Sequence, residues 1–99
     1  MPIGDFINAI PPIGFLAIHA VLFLLGAFFA SRAFGNGQSG LAWGFVLFAL
    51  AEISYMTYHL DWTTFLFAHT ISEVLDGVAF ILIFANAVQR IGRAEPALR

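Results

Sequence analysis

Apolar side chains fill this chain in three long runs, at about residues 12–34, 41–60 and 64–89, separated by short stretches of glycine and polar residues. Each run is about twenty residues, the length a helix needs to cross the hydrocarbon core of a bilayer. Pro11 and Pro12 open the first run, and proline suits a first helical turn because the N–H groups there have no partner anyway. Gly35-Asn36-Gly37-Gln38-Ser39-Gly40 is a turn by composition, with three glycines free to take positive φ. In Leu60-Asp61-Trp62-Thr63-Thr64, Asp61 or Thr63 can cap the next helix, and Trp62 stands where an interfacial indole is favoured.

The pattern predicts an all-α integral membrane protein, a single domain of three transmembrane helices in an up-down-up hairpin bundle with the N-terminus outside. Arg32 ends the first run, and Arg90, Arg93 and Arg99 follow the third, so all four basic residues fall on one side of such a hairpin. The positive-inside rule makes that side cytoplasmic. Residues 90–99, with Glu95 and Pro96, are expected to form a short cytoplasmic tail, a frayed helix end running into solvent. Ile3, Phe6, Ile7 and Ile10 recur at helical spacing and predict a short interfacial helix over residues 1–10.

Composition sharpens this reading. The chain is 61% hydrophobic and 10% charged, whereas soluble domains carry about 25% charged residues, so a soluble fold is excluded. It has no cysteine, which removes disulfides, thiolate metal sites and thiol catalysis. A net charge of −2 with no lysine argues against a nucleic-acid surface. The first ten residues lack the basic region of a signal peptide, so the first apolar run is expected to be retained. No hydrolase, zinc-protease or phosphate-loop motif is present, and the chain is not expected to be an enzyme by itself.

Six ionisable side chains interrupt the apolar runs: His19, Glu52, His59, His69, Glu73 and Asp76. Three carboxylates facing lipid alone would cost roughly 8–10 kcal/mol, so these groups are expected to face one another or a partner. Interhelical hydrogen bonds average only about 0.6 kcal/mol each, too little for packing alone to offset the whole set. The short turns act as rulers, because residues equidistant from a turn lie at similar depth. They place His19 near Met56, Tyr55 near His69, and Glu52 near Ser72 and Glu73, with Asp76 a further turn inward. At 100° per residue, Glu52, Tyr55 and His59 share one face of the second helix, and His69, Glu73 and Asp76 share one face of the third. His19 shares its face with Gly26 and Ala30, a small-residue pair that admits a close neighbour.

Three chemistries suit such a cluster. His19, Glu52, His69 and Glu73 could ligate a transition metal. His19 and His69 could hold a haem. Glu52, Tyr55, His59, His69, Glu73 and Asp76 could form a proton relay. The reading preferred from sequence is a small polytopic membrane protein that self-associates or serves as an accessory subunit of a larger membrane complex. An intramembrane metal, haem or proton-relay site with a direct role in ion, proton or electron transfer is the alternative. Its expected partners are the lipid bilayer and other membrane subunits or further copies of the chain, with no nucleic acid. The expected location is a bacterial or archaeal cytoplasmic membrane.

Overall fold

The computed structural model describes residues 3–98, with side chains through residue 92. It contains a 3-10 turn, Asp5–Ala9, and three α-helices: α1 (Pro12–Gly35), α2 (Ser39–His59) and α3 (Phe65–Leu98). Each helix is long and apolar enough to cross a membrane, α3 over Phe65–Gly92, and no strand occurs among the described residues. The chain has the make-up of a multi-pass membrane protein.

Local sequence explains the ends. Pro11 is extended at the N-cap of α1, and Pro12 is the first helical residue. Gly37, at φ +74°, stops α1: its N–H donates to the Phe34 carbonyl, and the Gln38 N–H donates to the Ala33 carbonyl at 2.8 Å. Asp61 does the same for α2 at φ +64°, with the Trp62 N–H reaching the Thr57 carbonyl at 2.9 Å. This corrects the expected role of the second turn. Asp61 closes α2 instead of capping α3, and the Thr63 hydroxyl pairs with Thr57 Oγ1 at 3.0 Å. The expected N-terminal helix is only the turn Asp5–Ala9, pinned by Asn8 Nδ2 donating to Asp5 Oδ1, while Met1 and Pro2 lie outside the described residues. The helical backbone of α3 continues to Leu98, so the expected tail at 90–99 is helical nearly to its end; the side chains of Arg93, Glu95, Pro96 and Arg99 lie outside the described residues.

Small residues make the helix contacts. Gly26, Ala30 and Ala33 of α1, Ala42, Gly44, Ala49 and Ala51 of α2, and Ala68, Ser72 and Ala79 of α3 are buried. Large side chains such as Leu24, Phe28, Leu50, Ile53, Phe80 and Phe84 point outward. That inversion of a soluble core fits lipid, where close backbone approach and dispersion replace the hydrophobic effect as the force between helices. A Cβ at Gly26 would come within 2.9 Å of Phe48 and 3.3 Å of the Phe45 carbonyl; one at Gly44 would come within 2.7 Å of Ile83 and 3.2 Å of the Ala79 carbonyl.

These contacts also set the architecture. On α2, the pair Ala42 and Ala49 lies about 180° round from Gly44 and Ala51 at the helical period. Gly26 of α1 meets Ala49, whereas Ile83 and Ala79 of α3 meet Gly44. The outer helices therefore sit on opposite flanks of α2 and do not close into the compact bundle that the hydropathy pattern suggests. Among the described residues no Cα of α1 lies within 8 Å of one on α3. The molecule is a slab of 56 × 30 × 20 Å, with a groove between α1 and α3 floored by α2.

Candidate functional site

Phe45, Phe48, Glu52, Tyr55 and His59 recur every three or four residues along α2 and so form the floor of the groove. The floor divides into an apolar and a polar half. Toward the first turn, Leu22, Leu25, Gly26 and Phe29 of α1, Phe45 and Phe48 of α2, and Ile83 of α3 line an apolar cavity of about 320 Å³. Toward the second turn lie the histidines.

His19 Nδ1 and Glu52 Oε2 share a hydrogen bond of 2.5 Å. Glu52 is 6% exposed, and burial of a lone carboxylate would be costly, so this bond is what makes the position tenable. The His19 ring stacks on Tyr55, with centroids 5.1 Å apart, and on His59 at 5.3 Å. Phe15 covers the other side of His59 at 4.9 Å with the rings 3° from parallel. Tyr55 reaches the opposite wall, where its hydroxyl stands 3.4 Å from His69 Nδ1. Phe65 stacks on His69, and Tyr58 sets its edge against both Phe65 and His59. One continuous layer of rings thus runs from α1 across α2 to α3.

Backbone carbonyls of the neighbouring helix satisfy the buried hydroxyls. Ser72, fully buried, donates to the Ala51 carbonyl at 2.9 Å, and Ser54 donates to the Ala68 carbonyl at 3.2 Å. A cavity of about 300 Å³ opens at the second-turn end of the layer, lined by Asn8, Ile10, Pro12, Phe15, Tyr58, His59 and Asp61. The opposite end of the molecule holds a different contact: Arg90 Nη1 donates to Gln38 Oε1 at 3.2 Å.

The structure brings His19, Glu52, Tyr55, His59 and His69 into one network. Glu73 is exposed, and Asp76 Oδ1 is buried without a hydrogen-bond partner. Both lie on the side of α3 that carries His69, about 100° and 40° round from the inward-facing Ser72. No family model, curated protein or solved structure matches this chain. Its chemistry must be read from the groove itself.

The metal set His19, Glu52, His69 and Glu73 does not assemble. His19 and Glu52 pair, His69 turns to Tyr55 and Phe65, and among the described residues no group of three or more His, Asp or Glu side chains is arranged to hold a metal ion. Haem between His19 and His69 fits no better, because Tyr55 contacts both rings and fills the interval where a macrocycle would lie.

Phe15, Tyr58 and Phe65 were not among the residues singled out by sequence as carrying the site. A signal for two of them exists in Phe15-Leu16-Ala17-Ile18-His19 and Phe65-Leu66-Phe67-Ala68-His69, with Tyr55 and His59 repeating the spacing on α2. An aromatic residue four positions before a histidine puts both rings on one helix face. Each helix carries that pair once in the polar half.

Proposed function

We propose that this chain is an accessory subunit of a larger helical membrane assembly, in which an element from outside the chain covers the groove between α1 and α3. The open groove carries this reading: Glu73 is exposed, and Asp76 presents a buried oxygen with no partner. A carboxylate at a helix centre costs about 2.5–3.5 kcal/mol on insertion scales, and protonation or a partner must remove that cost. The described basic side chains, Arg32 in the last turn of α1 and Arg90 beside Gln38, stand at the opposite end and cannot serve. A second copy in the same orientation would bring the same acids to the same depth, which favours a different chain as the cover.

The two arginines at one end also support an up-down-up crossing with the N-terminus outside and the first turn in the cytoplasm. Trp62, 74% exposed in the second turn, suits the opposite interface.

A lipid-soluble carbodiimide tests the reading. Glu73 should be protected in native membranes and modified once the chain is purified alone in mild detergent. Single cysteines at Leu25 on the groove lip and at Leu50 on the far face of α2 add a second readout. Crosslinks from Leu25→Cys and none from Leu50→Cys support a covered groove; equal carbodiimide labelling of Glu73 in both settings overturns it. Native mass spectrometry of the crosslinked species separates a different subunit from a second copy.

A further inference from the structure

We propose that His59, His19 and Glu52 form a one-sided proton path, entered from the cavity at the C-terminal end of α2 and ending at the His19–Glu52 pair. Three observations meet here. The cavity of about 300 Å³ is lined by His59 and Asp61, which gives water access to an imidazole at its inner wall. His59 and His19 have ring centroids 5.3 Å apart, within reach of one bridging water or a ring rotation. His19 Nδ1 then meets Glu52 Oε2 at 2.5 Å, and Glu52 is buried.

The proton is conserved at every step. His59 takes it from water in the cavity and gives it to the His19 ring, and His19 releases its Nδ1 proton to the Glu52 carboxylate, which becomes a neutral acid. Reversal returns it to the same cavity. Imidazole suits the two transfer positions because its two ring nitrogens can accept on one side while donating on the other.

Other titratable groups stand around the path, and on the N-terminal side Asp5 is held by Asn8, which lines the cavity. Tyr55 and Tyr58 lie on α2, Asp61 follows it, and His69, Glu73 and Asp76 lie on α3, with Asp76 in electrostatic reach of Glu52 and Glu73. Inward of Glu52 the floor changes character. Phe48, Phe45, Leu22, Leu25, Phe29 and Ile83 line the next cavity with no polar side chain. Glu52 lies about 10 Å along α2 from His59, so the path crosses roughly a third of a 30 Å hydrocarbon core and stops. Asp76 stands one turn further in on α3, and beyond it no titratable side chain among the described residues precedes Arg32 and Arg90 at the far end, so a proton can be loaded and unloaded from one face without a relay to the other. This inference does not depend on what covers the groove.

Difference infrared spectroscopy of the full-length protein in oriented proteoliposomes tests it. The carboxylic acid band that disappears in Glu52→Gln should follow the pH on the Trp62 side and ignore the pH on the Gln38 side. His59→Phe, which keeps a flat ring against Phe15, should slow that response by roughly a hundredfold and leave its end point unchanged. His19→Gln, which keeps a donor for Glu52, should slow it similarly. Circular dichroism confirms that both variants fold. A Glu52 band that follows the Gln38-side pH, that does not titrate, or that responds at the native rate in both folded variants overturns the proposal.

Discussion

The imidazole of His19 and the carboxyl of Glu52, 33 residues apart in sequence, are joined by a hydrogen bond that links α1 to α2 inside the apolar slab. Neither group is tenable there alone, so the two should be energetically coupled. A double-mutant cycle with His19→Ala and Glu52→Ala should give a coupling of about 1–2 kcal/mol, near the upper end for membrane hydrogen bonds. Unfolding in mixed micelles, followed by circular dichroism, measures it. Strictly additive losses would show that the pair contributes nothing to packing.

Two glycines should respond in opposite directions to added bulk. Gly44→Val drives a side chain into Ile83 and the Ala79 carbonyl and should destabilise the α2–α3 contact by about 1–3 kcal/mol. Gly77 meets nothing within 4 Å, and Gly77→Ala should stabilise α3 by up to about 1 kcal/mol through helix propensity alone. The same unfolding assay reads both variants, and equal effects would contradict the packing described.

Asp61 adopts φ +64°, a backbone region that suits glycine better than any residue with a Cβ. Asp61→Gly should therefore raise stability by roughly 0.5 kcal/mol, whereas Asp61→Val should lower it by about 1–2 kcal/mol. Were Asp61 an N-cap for α3, Asp61→Gly would lower stability instead, so the sign of the change distinguishes the two roles.

Membrane orientation is open to direct chemical assay. Single cysteines at Gln38 and Trp62 should react with an impermeant maleimide from opposite faces of sealed vesicles, Trp62→Cys from outside. Labelling of both from one face would dismiss the three-span crossing.

The three spans were legible because apolar length is a one-dimensional signal. Depth was legible to about one helical turn: the ruler set Tyr55 level with His69, whose rings do meet, and placed His19 near Met56, beside the Tyr55 on which it stacks. The direct bond from His19 to Glu52 was beyond that ruler, since side chains reach across a turn of pitch. Azimuth put Glu73 and Asp76 on the His69 side of α3, yet shared azimuth does not say whether the outer helices meet. That depended on the opposed small-residue pairs of α2, Ala42 with Ala49 and Gly44 with Ala51. The pattern is visible in the sequence, but it becomes informative only once the neighbour of each pair is known. The aromatic partners went unread for a related reason: Phe15 and Phe65 look like lipid-facing bulk until the histidines they cover are placed.

Because α2 meets its neighbours on separate flanks, the order of synthesis has a chemical consequence. The α1–α2 hairpin can form every contact it has before α3 leaves the ribosome, so Glu52 enters lipid with His19 already beside it. A chain truncated after the second turn should accordingly insert as a protease-protected hairpin, and the His19→Ala form of that fragment, whose Glu52 has lost its partner, should insert less well; equal insertion would show that the bond plays no part. Helix α3 arrives last, carrying Glu73 and Asp76 to a depth at which no described arginine side chain stands. Under the proposed accessory role, newborn copies would complete their internal pairing first and rely on a late-arriving neighbour for the rest, which would make the groove a place where quality control distinguishes an orphan chain from an assembled one.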